Sequence, residues 1–369
     1  MADGKAFRIG VIGAGWAADG HIAGFNMDPR AQVVGVANRT RERAEATAQK
    51  HGIPHVVGSH TELLTLDLDA VAITTPGKYH YEAAMDAFKA GCHVICEKPM
   101  AMNAQEAYEM QRAGKERGLA GAMAFTWRYP ARFQRMRALI AEGNIGRVQE
   151  VHAHCMSPMG KISVDGWMSR LEEGGGLLYQ LASHEIDRVR ALIGREAERV
   201  CGREKRVVTK AAVDPKTRYF LEMMRWRPDK PIDEYEMVEA TADTGYDIIA
   251  DFEEQTAAVF RSGKGRGENG RVIEAYGDEG TLILREHELV RSPYGERKFE
   301  RIEVPEAFRE STAHLPYLHR LWAELIAEFI DLMEGKESGV PTLWDGYKGM
   351  QIIDAARISG AEERWVHID

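Results

Sequence analysis

The chain has 369 residues and a formal net charge of −9, an acidic balance that argues against nucleic acid as a partner. Its length predicts two domains, and a hydrophobic content of 44% is ordinary for a globular protein with a sizeable core. No apolar leader precedes the first predicted strand, and no apolar run reaches the roughly 18 residues of a membrane span. Together with four cysteines in no metal or disulfide pattern, this predicts a cytoplasmic protein with no membrane association.

Short β-branched runs alternate with helical stretches along residues 1–125. Strands are predicted at 7–12, 32–37, 55–57, 70–74 and 93–96. Helices are predicted at 15–27, 79–90 and 103–118, and a further helix follows the second strand and ends at Gln49. Such alternation is typical of βαβ units and predicts a doubly wound parallel sheet. The fold class of this part is therefore α/β.

Beyond residue 125 the pattern changes to long alternating segments that few helices separate. Strands are predicted at 148–154, 246–252, 256–260, 271–276 and 281–284, and helices at 131–142, 314–334 and 344–357. These segments predict an α+β domain with a large, mostly antiparallel sheet. The glycine-rich stretch 263–270 predicts a mobile loop, the basic stretch 203–210 a solvated surface, and residues 203–240 no regular structure.

A glycine-rich turn links the first strand to the first helix: Gly13, Ala14, Gly15, Trp16, Ala17 and Ala18. Gly13 permits a tight turn, Gly15 permits close approach of a pyrophosphate, and Ala18 permits close helix–strand packing. The helix N-terminus, with Trp16 and Ala17 in its first turn, offers unpaired N–H groups to the phosphates. Because the motif lies between a strand and a helix, it predicts a dinucleotide-binding Rossmann domain.

The end of the second strand indicates which dinucleotide binds. NAD enzymes usually carry an acidic residue there for the ribose hydroxyls, whereas this chain has Asn38, Arg39 and Thr40. Arg39 and Thr40 are suited to binding a 2′-phosphate, which favours NADP. In the alternative, Arg39 is solvated and Asn38 binds the ribose of NAD.

Two further motifs follow buried strands, at the sheet edge that lines the ligand crevice of doubly wound folds. Thr75, Pro76 and His80 come after the fourth strand and are predicted to contact the cofactor, although His80 taken alone is more typical of a structural residue. Glu97 and Lys98, followed by a proline, come after the fifth strand and are likewise predicted to contact the cofactor. The lysine is predicted to face the nicotinamide and to act on a substrate oxygen.

Together these motifs resemble the Gfo/Idh/MocA oxidoreductase family, that of glucose–fructose oxidoreductase and inositol dehydrogenase. The resemblance covers nearly the whole chain. It rests on the segments 69–100, 145–148, 174–194, 277–282 and 341–346. It implies a Rossmann domain over residues 1–125, a substrate-binding and oligomerisation domain over 126–369, an active site between them, and a homodimer or homotetramer.

The resemblance also implies roles for individual residues. Lys98 matches the family's catalytic lysine, and His184 matches the histidine that carries the proton of the substrate hydroxyl. Many relatives have aspartate four residues before that histidine, where this chain has Gln180. An uncharged partner predicts a less basic His184 and leaves inositol or simple-sugar specificity open.

Other substrate-side residues are predicted from their chemistry. Arg128 is suited to a carboxylate or hydroxyl groups, and Trp167 to the apolar face of a sugar ring. His152 and His154 share a strand face, but with no third ligand visible we favour structural or substrate-facing roles and predict no metal.

The predicted function is hydride transfer between NAD(P) and a carbinol or keto carbon of a sugar, polyol, sugar acid or cyclic diol. One alternative is an NAD-assisted enzyme that cleaves glycosides with no net redox change. The other is a non-catalytic dinucleotide-binding regulator, against which the presence of both Lys98 and His184 argues.

Overall fold

The computed structural model describes residues 6–157, 163–217, 219–264, 270–285, 287–296, 298–305 and 317–368. The described chain divides into two compact units, the first from residues 6–126 and 317–347 and the second from residues 127–305 and 348–368. The predicted domains also divide near residue 126, but they assign the whole C-terminal part to the second domain. In the structure residues 317–347 cluster with the first.

The first unit contains a six-stranded sheet, all of whose neighbouring strands are parallel. The strand order is β3-β2-β1-β4-β5-β6. The bounds are β1 Phe7–Ile12, β2 Ala31–Ala37, β3 His55–Val57, β4 Ala70–Ile73, β5 His93–Cys96 and β6 Gly121–Met123. This is the doubly wound order, in which the sequence of strands reverses between β1 and β4. The predicted α/β class and its strands are confirmed.

The helices of this unit are α1 Trp16–Met27, α2 Arg41–His51, α3 His60–Leu63, α4 His80–Lys89 and α5 Ala104–Glu116. Local chemistry sets several of their ends. The Asn103 side chain accepts a hydrogen bond of 2.8 Å from the backbone N–H of Glu106, as an N-cap residue should. Gly91, with φ of 82°, allows the chain to turn after α4.

A helix from far along the chain completes the first unit. Helix α9, Tyr317–Met333, packs against α1. A Cβ atom added at Gly20 of α1 would lie 2.4 Å from the Trp322 ring, and one at Gly24 would lie 2.8 Å from Ile326. Glycine therefore allows the two helices to approach closely, a reason for these residues that the sequence pattern did not reveal.

The described part of the second unit contains a nine-stranded sheet and a small three-stranded one. The large sheet has the order β17-β16-β15-β14-β7-β13-β12-β9-β18, and the small one β11-β10-β8. The bounds are β7 Val148–Ser157, β8 Ser163–Val164, β9 Ala197–Lys205, β10 Lys210–Ala212, β11 Met237–Glu239, β12 Gly245–Phe252, β13 Thr256–Lys264, β14 Gly270–Gly277, β15 Gly280–Arg285, β16 Glu288–Pro293, β17 Glu300–Arg301 and β18 Val366–His367. In the large sheet only β7 and β13 pair in parallel, which confirms the mostly antiparallel prediction.

The sequence-based description of this unit was incomplete. The stretch 203–240, predicted to be irregular, includes the end of β9, the strands β10 and β11, and helix α8, Phe220–Arg225. Helices α6 Ala131–Ala141 and α7 Ser183–Ile193 also belong to the second unit, and α10, Leu343–Glu362, begins in the first and continues into the second. The predicted loop 263–270 includes residues 265–269, which lie outside the described residues.

The two faces of the large sheet differ in chemistry. One face is fully buried and apolar across the central strands, as at Ile248, Phe260 and Ala153. The other carries ion pairs, in which Asp247 contacts Lys205 at 2.8 Å and Arg261 at 3.1 Å. We call this second surface the charged face. None of the described helices has the length and apolar character of a membrane span.

Candidate active site

The glycine-rich turn has the geometry that its sequence predicts. Gly13 has a φ of 110°, its N–H donates to the Ala37 carbonyl at 2.8 Å, and a Cβ there would lie 2.5 Å from Thr74 Oγ1. Gly15 is the N-cap of α1, and a Cβ there would meet nothing within 4 Å. Ala18 is buried. The turn is tight on its strand side and open at Gly15, where a phosphate would approach.

The ring of Trp16 makes an edge contact with Trp322, with ring centroids 5.0 Å apart. Ala17 beside it is half-buried. The side chain of Trp16 therefore packs α1 against α9. What this position offers a phosphate is the backbone N–H at the start of the helix.

The three residues after β2 have exposed or half-exposed side chains. The Asn38 amide donates to the Thr40 carbonyl at 2.9 Å. Arg39 and Thr40 are exposed, and Arg39 makes no ion pair with the described part of the chain. By contrast, neighbouring Arg41 pairs with Glu45 at 2.8 Å. Arg39 is thus a guanidinium available at the end of β2.

His80 is occupied by the protein itself. It is fully buried, with Nδ1 2.8 Å from the Pro99 carbonyl and Nε2 2.7 Å from the Thr75 carbonyl. Burial lowers the pKa of the imidazole, an effect that the two carbonyls oppose. Through these two contacts His80 joins the segments after β4 and β5, and its contact with the cofactor stays a prediction. The hydroxyl of Thr75 is buried without a hydrogen-bond partner among the described residues, and Pro76 is half-buried beside it.

The side chain of Glu97 also makes contacts within the protein. Its carboxylate lies 3.1 Å from His21 Nε2 and accepts the backbone N–H of Lys98 at 3.2 Å. Burial raises the pKa of this carboxyl, but His21 and Lys98 outweigh it, and the pKa lies below the usual value. This pair could not be predicted from the pattern of residues, since His21 lies 76 residues away.

Lys98 follows Glu97 just beyond the end of β5 and is half-buried. Burial lowers the pKa of its ammonium, and the charge of Glu97 opposes this effect. A partly desolvated amine at the carboxyl end of a strand can donate to a ligand oxygen or lose its proton, as predicted for it.

The residues of the first unit fit a dinucleotide. Gly13, Asn38, Thr75 and Lys98 follow β1, β2, β4 and β5 respectively, so they occupy the same edge of one parallel sheet. The strand order reverses between β1 and β4, which is where doubly wound sheets bind ligands. The open position at Gly15 and the unpartnered hydroxyl of Thr75 are the features that such a ligand would fill.

His184 belongs to the second unit and lies in the first turn of α7, after a π-helical turn at Leu178–Ala182. It is buried and stacks on Trp127, with ring centroids 4.3 Å apart and planes at 11°. The Arg271 guanidinium lies 4.2 Å from the centroid of the same Trp127 ring. Trp127 therefore fixes the plane of the imidazole, a role that the sequence pattern did not reveal.

The substrate-side residues have firm partners within the second unit. Arg128 is buried and makes a bidentate ion pair with Asp187, at 2.8 Å through Nε and 2.5 Å through Nη2. The Gln180 amide donates to the Gly174 carbonyl at 2.8 Å, and Trp167 stacks on Phe220 with centroids 6.2 Å apart. For Arg128 this pairing indicates a structural role, and the substrate contact stays a prediction.

A buried acid that the sequence pattern did not single out lies beside the glycine run. Asp243 is 3% exposed, accepts the backbone N–H of Leu178 at 3.0 Å, and lies where a Cβ on Gly176 would be. Burial raises its pKa to about 7. The acid therefore supports the turn that leads to His184.

The structure also shows a third potential metal ligand beside His152 and His154. Glu274 of β14 lies beside His152 and His154 of β7, with one ligand atom of each within 4.8 Å of the others. The prediction of no metal depended on the absence of such a third group.

Comparison with known proteins identifies the family. Residues 7–125 match the model of the oxidoreductase family with an NAD-binding Rossmann fold, and residues 133–283 match the Gfo/Idh/MocA C-terminal domain. A 1,5-anhydro-D-fructose reductase from Ensifer adhaerens is 28% identical over 96% of this chain and 98% of its own length. A D-glucoside 3-dehydrogenase from Escherichia coli strain K12 is 31% identical over 51% of this chain and 54% of its own.

Solved structures share the fold. A levoglucosan dehydrogenase in complex with NADH and L-sorbose superimposes with a TM-score of 0.86 at 22% identity, covering 98% of this chain and 99% of its own. An oxidoreductase domain protein from Kribbella flavida gives a TM-score of 0.85 at 23% identity, with 99% and 100% covered. The chain belongs to the Gfo/Idh/MocA family and is an NAD(P)-dependent oxidoreductase.

Proposed function

We propose that the protein transfers hydride between NADP and a carbinol or keto carbon of a sugar or a close relative of one, such as a polyol, a sugar acid or a cyclic diol. Two relatives support the sugar class by name, the 1,5-anhydro-D-fructose reductase and the D-glucoside 3-dehydrogenase. Both names describe redox chemistry at a hydroxyl-bearing or keto carbon.

The observation that carries the proposal is the placement of Lys98. Its partly desolvated ammonium follows β5 at the ligand-binding edge of the parallel sheet. There it donates a hydrogen bond to the substrate oxygen, which favours the charge that develops on that oxygen as hydride moves. When bound, the nicotinamide ring gives or accepts the hydride itself.

His184 carries the proton of the same hydroxyl. Histidine titrates near neutral pH, and a ring held flat against Trp127 presents its nitrogens in a fixed plane. We therefore assign His184 as the group that accepts the proton during oxidation and returns it during reduction.

Arg39 decides between the two dinucleotides. The Arg39 guanidinium is exposed after β2, and the residue before it is Asn38 rather than an acidic residue. The guanidinium is therefore a suitable partner for a 2′-phosphate. Arg39→Ala should raise KM for NADP at least about tenfold, equivalent to about 1.4 kcal/mol, and leave KM for NAD within about twofold. Arg41→Ala, which removes a nearby arginine already paired with Glu45, is the matched control. Equal changes for NADP and NAD in Arg39→Ala would refute this assignment.

The activity itself is tested by nicotinamide absorbance with a panel of sugars, polyols and their keto forms, using both dinucleotides. Lys98→Met should lower kcat by at least about 10²-fold, the scale of positioned acid–base groups, and leave dinucleotide affinity nearly unchanged. Lys89→Met, at an exposed position of α4, is the control for the loss of one surface charge. Turnover in Lys98→Met equal to wild type would contradict the assignment, and hydrolysis of a glycoside without net absorbance change would identify the non-redox alternative.

A further inference from the structure

The charged face of the large sheet carries a cluster of side chains that hydride transfer does not use. His152 and His154 are alternate residues of β7, so both point to this face. Glu274 of the neighbouring strand β14 lies directly across from His152 in the register of the sheet. Pairing of these strands therefore brings Glu274 close to His152 and His154, which precede it in the chain by 122 and 120 residues.

The spacing of these groups fits a small metal ion. His152 Nδ1 and Glu274 Oε2 are 3.6 Å apart. Two ligands of a tetrahedral zinc ion, each about 2.0–2.2 Å from the metal, lie roughly 3.3–3.5 Å from each other. All three ligand atoms lie within 4.8 Å of one another, so small side-chain rotations bring them onto one ion.

The hydrogen bonds around the cluster leave its inner lone pairs available. His152 Nε2–H donates to Glu150 at 2.7 Å, since a carboxylate can only accept. In the neutral ring this leaves a lone pair on Nδ1, the atom that faces Glu274. Metal-binding histidines characteristically donate their other N–H to a carboxylate in this way. The Glu274 carboxylate in turn accepts the hydroxyl of Tyr276 at 3.1 Å.

His154 supplies the second nitrogen. Its Nε2 is buried and makes no hydrogen bond within the described part of the chain. The cation nearest on β13, Arg261, is itself paired with Asp247 at 3.1 Å, which offsets its repulsion of an ion.

We propose that His152, His154 and Glu274 form a binding site for a divalent transition-metal ion of the zinc class, with Glu150 and Tyr276 orienting the ligands. Two imidazoles and one carboxylate are a zinc ligand set with one open position. An ion held there links β7 to β14 across the charged face. The competing arrangement is a protonated His152 between Glu150 and Glu274, which needs no metal.

The test uses the full chain after dialysis against a chelator. Calorimetric titration with Zn²⁺ at pH 7.5 should show one binding site. His154→Gln and Glu274→Gln should each lower its Zn²⁺ affinity at least tenfold. Glu150→Gln, which removes the carboxylate partner of His152, should weaken it by about 10- to 100-fold. Loading with Co²⁺ in place of Zn²⁺ should give the visible absorption of a four-coordinate ion, lost in His154→Gln. Dinucleotide binding, measured on every variant, reports whether the fold is intact.

A second cluster of the described chain provides the matched control. His60, Glu82 and Asp86 also bring three ligand atoms within 4.8 Å, but Glu82 is exposed and the cluster lies on the first unit. His60→Gln should leave the Zn²⁺ affinity and the Co²⁺ spectrum of the proposed site unchanged. The proposal is overturned if the protein binds no Zn²⁺, if His60→Gln removes the binding, or if His154→Gln and Glu274→Gln both retain it.

Discussion

Replacement of Arg128 distinguishes a structural arginine from a substrate-binding one. In the structure its guanidinium and the Asp187 carboxylate form two parallel hydrogen bonds of 2.8 and 2.5 Å. The side chains are 9% and 1% exposed, so the pair is almost fully removed from water. Arg128→Met keeps much of the side-chain volume and leaves the Asp187 charge buried without its arginine.

The expected cost follows from that burial. Breaking a buried pair by removing one partner typically costs about 3–5 kcal/mol, because the remaining charge is desolvated and uncompensated. For a unit of this size about 1 kcal/mol corresponds to roughly 2–4 °C in Tm, so Tm should fall by about 6–20 °C. The double variant Arg128→Met, Asp187→Leu removes both charges and should recover more than half of that loss, since apolar replacement of a whole buried pair is often neutral.

Urea unfolding and thermal scans on the three proteins measure the stability, and KM for the best substrate of the panel measures the functional effect. The structural role predicts a large loss of stability and a KM change within about threefold, below about 0.7 kcal/mol. A variant as stable as the wild type with a KM raised tenfold or more would refute the reasoning. That result would instead support the substrate contact that the sequence predicts for Arg128.

Two further predictions concern other residues of the site. Gly15→Ala should leave the free energy of unfolding within about 0.5 kcal/mol, because its Cβ meets nothing within 4 Å, yet weaken dinucleotide binding roughly tenfold in a fluorescence titration. Unchanged affinity would place the phosphates elsewhere. Asp243, with a pKa of about 7 against the usual 3.8, holds a proton in the folded state that the unfolded chain releases, so stability should fall as pH rises from about 4 to 7. Asp243→Asn should flatten that dependence in urea midpoints at pH 4.5 and 7.5, and parallel curves for the two proteins would contradict it.

The sequence predicted the first unit well because its signals are local. A glycine-rich turn, β-branched runs and capping residues such as Asn103 act within a few residues of the elements they define. The strand β9 was missed because its exposed side chains are charged. Arg203 and Lys205 resemble a solvated surface until Asp247 is brought opposite them by strand pairing.

The side-chain partners of several site residues could not be predicted, because those partners are distant in the chain. His80 and Glu97 follow buried strands, as predicted, but their side chains contact Pro99 and His21. Asp187, which pairs with Arg128, is 59 residues away. Residue type and spacing locate a side chain at an edge of the sheet, whereas its partner depends on packing that only the folded chain defines.

The packing of α9 on α1 has a consequence for how the chain is made. Since residues 317–347 complete the first unit, a ribosome must synthesise strands β7 to β17 of the second unit before α1 can meet α9. Until then Gly20 and Gly24 lie on a helix surface that has not yet met Trp322 and Ile326. The first unit can therefore close only after most of the second unit has been translated.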